Sequence, residues 1–292
     1  MRFTFIDSMI DPSFYEPLAI AAEEAGYDSF GIPDSLCYPE VSDSSYPYTA
    51  DGKREFLDDR PFIEPFSLIP YLAAVTEKLR FTTFVVKLPM RHPVVVAKQA
   101  ASVAVLSDNR FGFGIGLSPW PEDFRVVDVP WEKRGRRFDE QIDIVRGLTR
   151  GGYFSYAGEI YQLESVKLCP VPTRPIPLLI GGHSKAALRR AARVGDGWMH
   201  AGSGGGEDLG QLLAELGKLR AEYGRAKEPF EVHAISLDAY TPDGIKRMQD
   251  MGISDAIVGF RNSYSMEQDT QSLEQKLTAL RGYAESVIAK VR

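Results

Sequence analysis

The sequence predicts an α/β fold, a (β/α)8 TIM barrel with insertions after its second strand and before its fifth. Three observations predict it. Short apolar runs alternate with helical patterns along nearly all of the 292 residues. Alternation of this kind means parallel strands, since parallel neighbours need crossover helices and cannot be joined by a hairpin. The unit repeats eight times, which favours a closed barrel over an open doubly wound sheet with edges to protect.

The elements follow in order. Arg2–Ile6 combines aromatic and β-branched residues as strands do. A helix over 14–25 stops at Gly26, a residue suited to the left-handed turn that ends helices. Residues 28–32 make the second strand. The next 27 residues, 36–62, show no periodicity and carry Tyr38, Tyr46 and Tyr48 among several Asp and Ser. Connections beyond about 15 residues are uncommon unless they are lids, binding loops or disordered. In a barrel this one rises from the catalytic face, although a solvated surface insertion fits the same residues. A helix over 65–76 leads to the third strand, 80–86. Pro93 suits a first helical position and opens a helix running to 106. A glycine-rich strand, 110–116, and a long helix, 131–148, follow. Residues 153–175 read as a hairpin, YFSYAGEIYQL, and then a proline-stiffened segment, CPVPTRP. Strands over 177–180, 196–200, 231–237 and 255–259, each followed by a helix, complete the set. Barrels of about 250 residues fold as one unit, so 1–292 reads as a single domain.

Composition narrows the function classes. Hydrophobic residues make up 44% and charged residues 25%, ordinary for a soluble globular chain. Acidic residues outnumber basic ones 40 to 34, which argues against nucleic acid or an anionic membrane as partner. Cys37 and Cys169 are the two cysteines, with no CxxC, so neither a disulfide framework nor a structural zinc is expected. No apolar run reaches membrane-spanning length, and the first residues do not read as a signal peptide. The expected location is cytoplasmic.

The sharpest local signal is IPLLIGGHSKAALRRAARVGDGW, where a buried strand ends in Gly181 and Gly182, His183 and Ser184 follow, and a helix begins. Two glycines let a backbone approach a ligand closely, and free amides at a helix start face an anion. His183 or Lys185 can add charge. A tight strand-to-helix turn with Ser184 as N-cap explains the same residues. On the phosphate reading, a bulky residue at Gly182 lowers ligand affinity with little change in Tm. Gly112, Gly114 and Gly116 lie within a strand, and Leu117-Ser118-Pro119-Trp120-Pro121 follows instead of a helix start, so a dinucleotide fingerprint fits poorly. These glycines make room either for a flat ligand or for barrel packing. Asp34 and Ser35 sit just beyond strand two, where barrel enzymes place functional side chains, although a loop Asp is also a common turn former. His200 and His233 read as polar core or rim residues. HExxH, GxSxG and Walker motifs are absent, which leaves metal hydrolysis, nucleophile-elbow chemistry and NTP hydrolysis unsupported.

Four stretches together resemble the luciferase-like flavin and deazaflavin oxidoreductases. They are AAEEAGYDSFGIPDS, EPFSLIPYLAAVTEKLRFTTFVVKLPMRHPVVVAKQAASVAVLSDNRFGFGIGLS, WPEDFRVVDVPWEKRGRRFDEQIDIVRGL and PIPLLIGGHSKAALRRAARVGDGW. They lie in the family's order between residues 2 and 200; the last third matches only in its βα pattern. The resemblance implies a luciferase-like barrel that binds FMN or coenzyme F420, its phosphate end at Gly181, Gly182, His183 and Ser184. It implies a cis peptide between Phe84 and Val85 in a strand-three bulge behind the cofactor ring. Asp34 matches a position against the ring system, and Lys87 one lining the cleft. Two departures matter. Deazaflavin sugar-phosphate dehydrogenases of the family carry His where this chain has Ser35, and Glu where it reads Leu117-Ser118-Pro119. Both argue against that substrate. Light emission is not expected. The style of SPWPEDF and KRGRRFDE is most similar to actinobacterial members that use F420.

The function this implies is an oxidoreductase that moves hydride between coenzyme F420 and a small organic substrate. Asp34, Ser35 and Tyr46 are the catalytic candidates, with Tyr48 as another proton donor in a lid formed by 36–62. Asp34, Phe84, Val85, Lys87, Gly181, Gly182, His183 and Ser184 are the cofactor-binding candidates, and no metal is expected. Trp120 walls the substrate pocket or is a buried structural residue. One alternative is an FMN-dependent monooxygenase using oxygen and externally reduced flavin. Another is a non-catalytic flavin- or deazaflavin-binding protein. The partners expected are a small-molecule substrate and a reductase that supplies the reduced cofactor, with a homodimer left open.

Overall fold

The computed structural model describes residues 1–42, 44–46, 49, 52–202 and 208–292. The first half of its barrel wall is β1 (Arg2–Ile6), β2 (Ser29–Ile32), β3 (Arg80–Thr83), β4 (Val86–Lys87) and β5 (Phe111–Gly116). β6 (Phe154–Ala157) and β7 (Gln162–Val166) form a separate antiparallel hairpin. The second half is β8 (Leu178–Gly181), β9 (Gly197–His200), β10 (Glu231–Ile235) and β11 (Asp255–Val258). Parallel pairing runs β1-β2-β3-β5-β8-β9-β10-β11 and returns to β1, with β4 carrying β3 onward beside β5. Phe5 therefore sits opposite Phe30 on one side and Val258 on the other. Closure removes the free edges an open sheet would have to protect.

The crossovers carry α1 (Tyr15–Glu24), α2 (Pro65–Ala74), α3 (Pro93–Leu106), α4 (Pro121–Val126), α5 (Arg134–Thr149), α6 (Lys185–Val194), α7 (Leu209–Glu222) and α8 (Pro242–Asp250); α9 (Leu273–Tyr283) follows the last strand. Proline opens α2, α3, α4 and α8, where its missing N–H is no loss. Side-chain oxygens of Ser184, Asp208, Thr241 and Ser272 cap α6 to α9. α4 corrects the sequence reading, which found no helix start after β5. Pro121 opens one, but at six residues it is too short to show a period. The long helix begins at Arg134 rather than 131, because Lys133 is left-handed at φ 55°.

Alternation along β1 sorts its side chains. Phe3 and Phe5 turn outward to the helices, Phe3 meeting Tyr283 of α9 edge-on at 6.3 Å. Thr4 turns inward and donates to Asp255 at 2.7 Å. The β6–β7 turn is fastened by Glu140 of α5, whose carboxylate accepts from the amides of Glu159, Ile160 and Tyr161. No helix of the described residues is long and apolar enough to cross a membrane.

Candidate active site

The third barrel strand is interrupted where the cleft begins. Thr82 pairs with Gly112 and Val86 with Ile115, so residues 83–85 on one strand face only 113 and 114 on the other. One residue is extra, which defines a bulge. The Phe84–Val85 peptide within it is cis, as the resemblance implied. Thr83 pins the bulge by donating its hydroxyl to the Gly114 carbonyl at 2.7 Å, and the Phe84 amide donates to Ile32 at 2.7 Å.

The strand-five glycines make room for this bulge. A Cβ on Gly114 would lie 1.8 Å from the Thr83 carbonyl oxygen, and one on Gly116 would lie 2.7 Å from Val85 Cγ2. Gly181, across on β8, would meet Val85 Cγ1 at 2.9 Å. Barrel packing accounts for Gly114, while Gly116 and Gly181 also line the cleft. These glycines are small because Thr83 and Val85 occupy the space.

Asp34 reaches the cleft wall from the end of β2, but its oxygens are already engaged. Oδ1 and Oδ2 each accept from Arg91 at 2.8 Å, and Oδ2 also accepts the Lys87 amide at 3.0 Å. The carboxylate thus ties the chain beyond the bulge to β2. Lys87 turns its ammonium to Asp123 at 2.8 Å, and Asp123 also accepts the Ser118 hydroxyl at 2.6 Å. The same ammonium lies 4.3 Å from the Trp120 ring centre, and the Arg54 guanidinium lies 4.5 Å from it. Both contacts are of cation–π type.

The described residues of 36–62 that line the mouth include Tyr46, Phe56, Leu57 and Phe62. Tyr46 brings its ring to 5.2 Å from Trp120 and 5.9 Å from Tyr264, and a side-chain hydrogen bond joins the two tyrosines. Burial pushes the Tyr264 hydroxyl up, opposed by that bond. Glu122, at the start of α4, faces Arg54 at 3.6 Å and accepts from Ser44 at 2.6 Å. Arg60 holds the other flank by donating to the carbonyls of Met266 and Glu267. Tyr48 lies outside the described residues.

At the end of β8 the expected anion turn divides. Gly182 has φ +115°, a conformation reserved for glycine, and its carbonyl accepts from Trp198 Nε1 at 2.9 Å. The expectation that a bulky side chain here would leave Tm unchanged is therefore corrected, because any side chain is strained at that φ. Ser184 caps α6 by accepting from Ala187. His183 turns away to stack on His200, ring centres 4.5 Å apart, and accepts from the Ala201 amide. Burial first, and then His183, lowers the His200 pKa to about 4.

The cleft at the C-terminal ends of the strands has a volume of about 650 Å³. It gathers Asp34, Ser35, Tyr46, Phe84, Val85, Lys87, Gly181 and Gly182 on one wall system. Among the described residues His183 and Ser184 stand outside that lining. Sequence reasoning missed Arg91, Asp123, Phe56, Tyr264 and Arg261. Arg91 was legible only as a cation shortly after Lys87; the others carry no motif, since their partners are distant in sequence.

Fold and cleft define a (β/α)8 barrel protein with a ligand-sized cleft at the strand ends. The chain belongs to the luciferase-like monooxygenase family, whose model matches residues 8–283. It is 56% identical over 291 residues to an uncharacterized protein of Mycobacterium tuberculosis, covering 100% of both chains. It is 31% identical over 216 residues to the F420-dependent glucose-6-phosphate dehydrogenase of Tsukamurella paurometabola, covering 71% of this chain and 58% of that one. The fold superposes on monooxygenase RslO1 of Streptomyces bottropensis with a TM-score of 0.76 and 17% identity, covering 100% of both. The family is one of oxidoreductases and monooxygenases, and F420-dependent enzymes are among the relatives.

Proposed function

We propose that this protein is an oxidoreductase that moves a hydride between coenzyme F420 and a small organic substrate. The observation that carries the reading is the bulge, which pushes Phe84 and Val85 into the cleft as an apolar rest for one face of a planar ring. The residues fit such a group. Ile6, Met199 and Ile257 extend the apolar lining, Ser35 and Lys87 offer polar edges, and Gly181 and Gly182 bring bare backbone to the start of α6. When bound, F420 supplies the ring carbon that carries the hydride; the protein supplies orientation and exclusion of water. Val85 would set the height of the ring. Asp34, through Arg91 and the Lys87 amide, is a positioning residue for the bulge. The backbone of 181–184 would hold the anionic tail. Tyr46 and Tyr264, joined by a side-chain hydrogen bond on the roof, would present a hydroxyl to a substrate heteroatom. Tyr46, Phe56 and Phe62 of the lid would help exclude water.

F420 rather than FMN is supported by the F420-dependent relative and by the actinobacterial style of 118–140. A second reading, an FMN monooxygenase fed by a partner reductase, is favoured by the monooxygenase fold match. Absorbance and fluorescence titrations with each cofactor separately test the choice. Saturable F420 binding, at least about tenfold tighter than FMN, is expected. Tighter FMN binding with oxygen consumption would select the second reading. Tight binding without turnover on any substrate would leave a carrier.

A further inference from the structure

We infer that the substrate is a neutral, largely apolar ring compound bearing an uncharged oxygen, of the aryl ketone class. This rests on the proposed function for the identity of the site. The roof facing the bulge is a cluster of rings. Tyr46 lies 5.6 Å from Phe56 and 5.2 Å from Trp120, and Phe56 meets Tyr264 edge-on at 5.2 Å. Such a surface rewards a flat apolar guest. At the rim, Leu237 lines the cleft while 90% exposed, so the approach is apolar too.

Charge gives the second, independent observation. Among the described residues, the charged side chains on the wall are Asp34, Lys87 and Arg261. Asp34 is paired with Arg91, and Lys87 with Asp123. Arg261 lies 3.7 Å from Asp7 and 3.4 Å from Asp269, which Lys276 also bridges, and it donates to the Ser8 carbonyl. These clusters hold four cations and four anions, so an anionic substrate finds no surplus positive charge on the described wall. Recruiting Arg261 would mean breaking buried pairs, which is strongly unfavourable. The other polar side chains on the described wall, among them Ser35, Tyr46, Tyr240, Asn262 and Tyr264, are uncharged, which suits a carbonyl or hydroxyl oxygen.

The test is calorimetric titration of the protein, carrying whichever of F420 and FMN it retains, with acetophenone and with glucose 6-phosphate. Acetophenone is expected to bind saturably and independently of salt, and glucose 6-phosphate not to bind. Phe56→Ala should weaken acetophenone about tenfold. Tyr264→Phe, a variant expected to fold normally, should weaken it severalfold through loss of the hydroxyl. Salt-sensitive binding of glucose 6-phosphate that is lost in Arg261→Gln would overturn the inference. So would failure of acetophenone to bind, or binding unchanged in both variants. Because the readout is binding, the two proposals fail separately. FMN retention with acetophenone bound overturns only the F420 reading, and F420 retention with glucose 6-phosphate bound overturns only this one.

Discussion

At the base of the barrel, Arg2, Glu231, His233 and Asp255 meet entirely within strands. At the mouth, Asp34, Arg91, Lys87 and Asp123 meet across strand ends, loops and α4. The base network is dense. Arg2 reaches both Glu231, at 2.6 Å, and Asp255, at 3.2 Å, and His233 bonds Glu231 at 2.7 Å. Its innermost members, His233 and Asp255, are buried. The mouth network uses equally short pairs but arranges them around a cleft of about 650 Å³. Buried charge therefore serves two ends here: it locks register at one pole and holds apart the walls of a site at the other.

The strongest way to break this contrast is Asp255→Ala. The side chain is fully buried and serves Arg2 and Thr4, so its loss should cost about 3–5 kcal/mol in urea unfolding. Cofactor affinity of the folded protein should not change. A loss of affinity larger than the loss of stability would mean that the base communicates with the cleft.

Acid should remove the contributions of the two poles to overall stability in separate windows. For Glu231, burial alone would raise the pKa, but the bond from His233 and the charges of Arg2 and Arg80 bring it down to about 2. A carboxylate depressed on folding stabilises fully above its unfolded pKa of about 4.3, and that stability is lost as pH falls through the folded value. His200 has the same sign for a different reason. It is held neutral in the fold with a pKa of about 4, whereas the unfolded chain takes up a proton near 6.5. Its contribution is present above about pH 6.5 and disappears towards 4. Each step should be worth up to about 3 kcal/mol. Stability measured from pH 7 to 2 should lose first the mouth's contribution and then the base's. His200→Phe should flatten only the upper step and Glu231→Gln only the lower; a single step removed by either would erase the distinction.

Asp34→Asn sharpens the contrast from the other side. It weakens the bonds to Arg91 and the Lys87 amide and should cost about 2 kcal/mol. Unlike Asp255→Ala, it should also loosen the bulge and lower cofactor affinity. Thermal unfolding and a cofactor titration on the same preparation decide the case. Affinity equal to wild type would remove Asp34 from the positioning of strand three.

What the sequence made legible follows the same division. The wall is periodic and local: apolar runs, proline starts and serine caps each announce themselves within a few residues. The cleft is made of pairs far apart in the chain. Asp34 meets Arg91 57 residues on, and the Asp34 position drew attention whereas its partner did not. Gly114 and Gly116 were visible as glycines, but their reason, the bulge at 83–85, appears only when β3 and β5 are laid side by side. His183 stood next to Gly182 in sequence yet leaves the cleft, because Gly182 at φ +115° redirects the chain.

The smallest expected effect settles the most local ambiguity, whether Ser184 is only a cap or also an anion ligand. As a cap it accepts from the Ala187 amide at 3.3 Å, a long bond on an exposed residue. Asp caps as well as Ser does, so Ser184→Asp should change stability by no more than about 0.5 kcal/mol. A negative charge in the first turn even favours the helix dipole. An anionic cofactor tail at the same turn would be repelled by that charge and would lose the hydroxyl donor. Cofactor affinity should then fall severalfold, more steeply at low salt, because screening weakens the repulsion. The titration is run at two ionic strengths with circular dichroism as the folding control. Wild-type affinity at low salt would leave Ser184 a helix cap and move the anionic tail away from the start of α6.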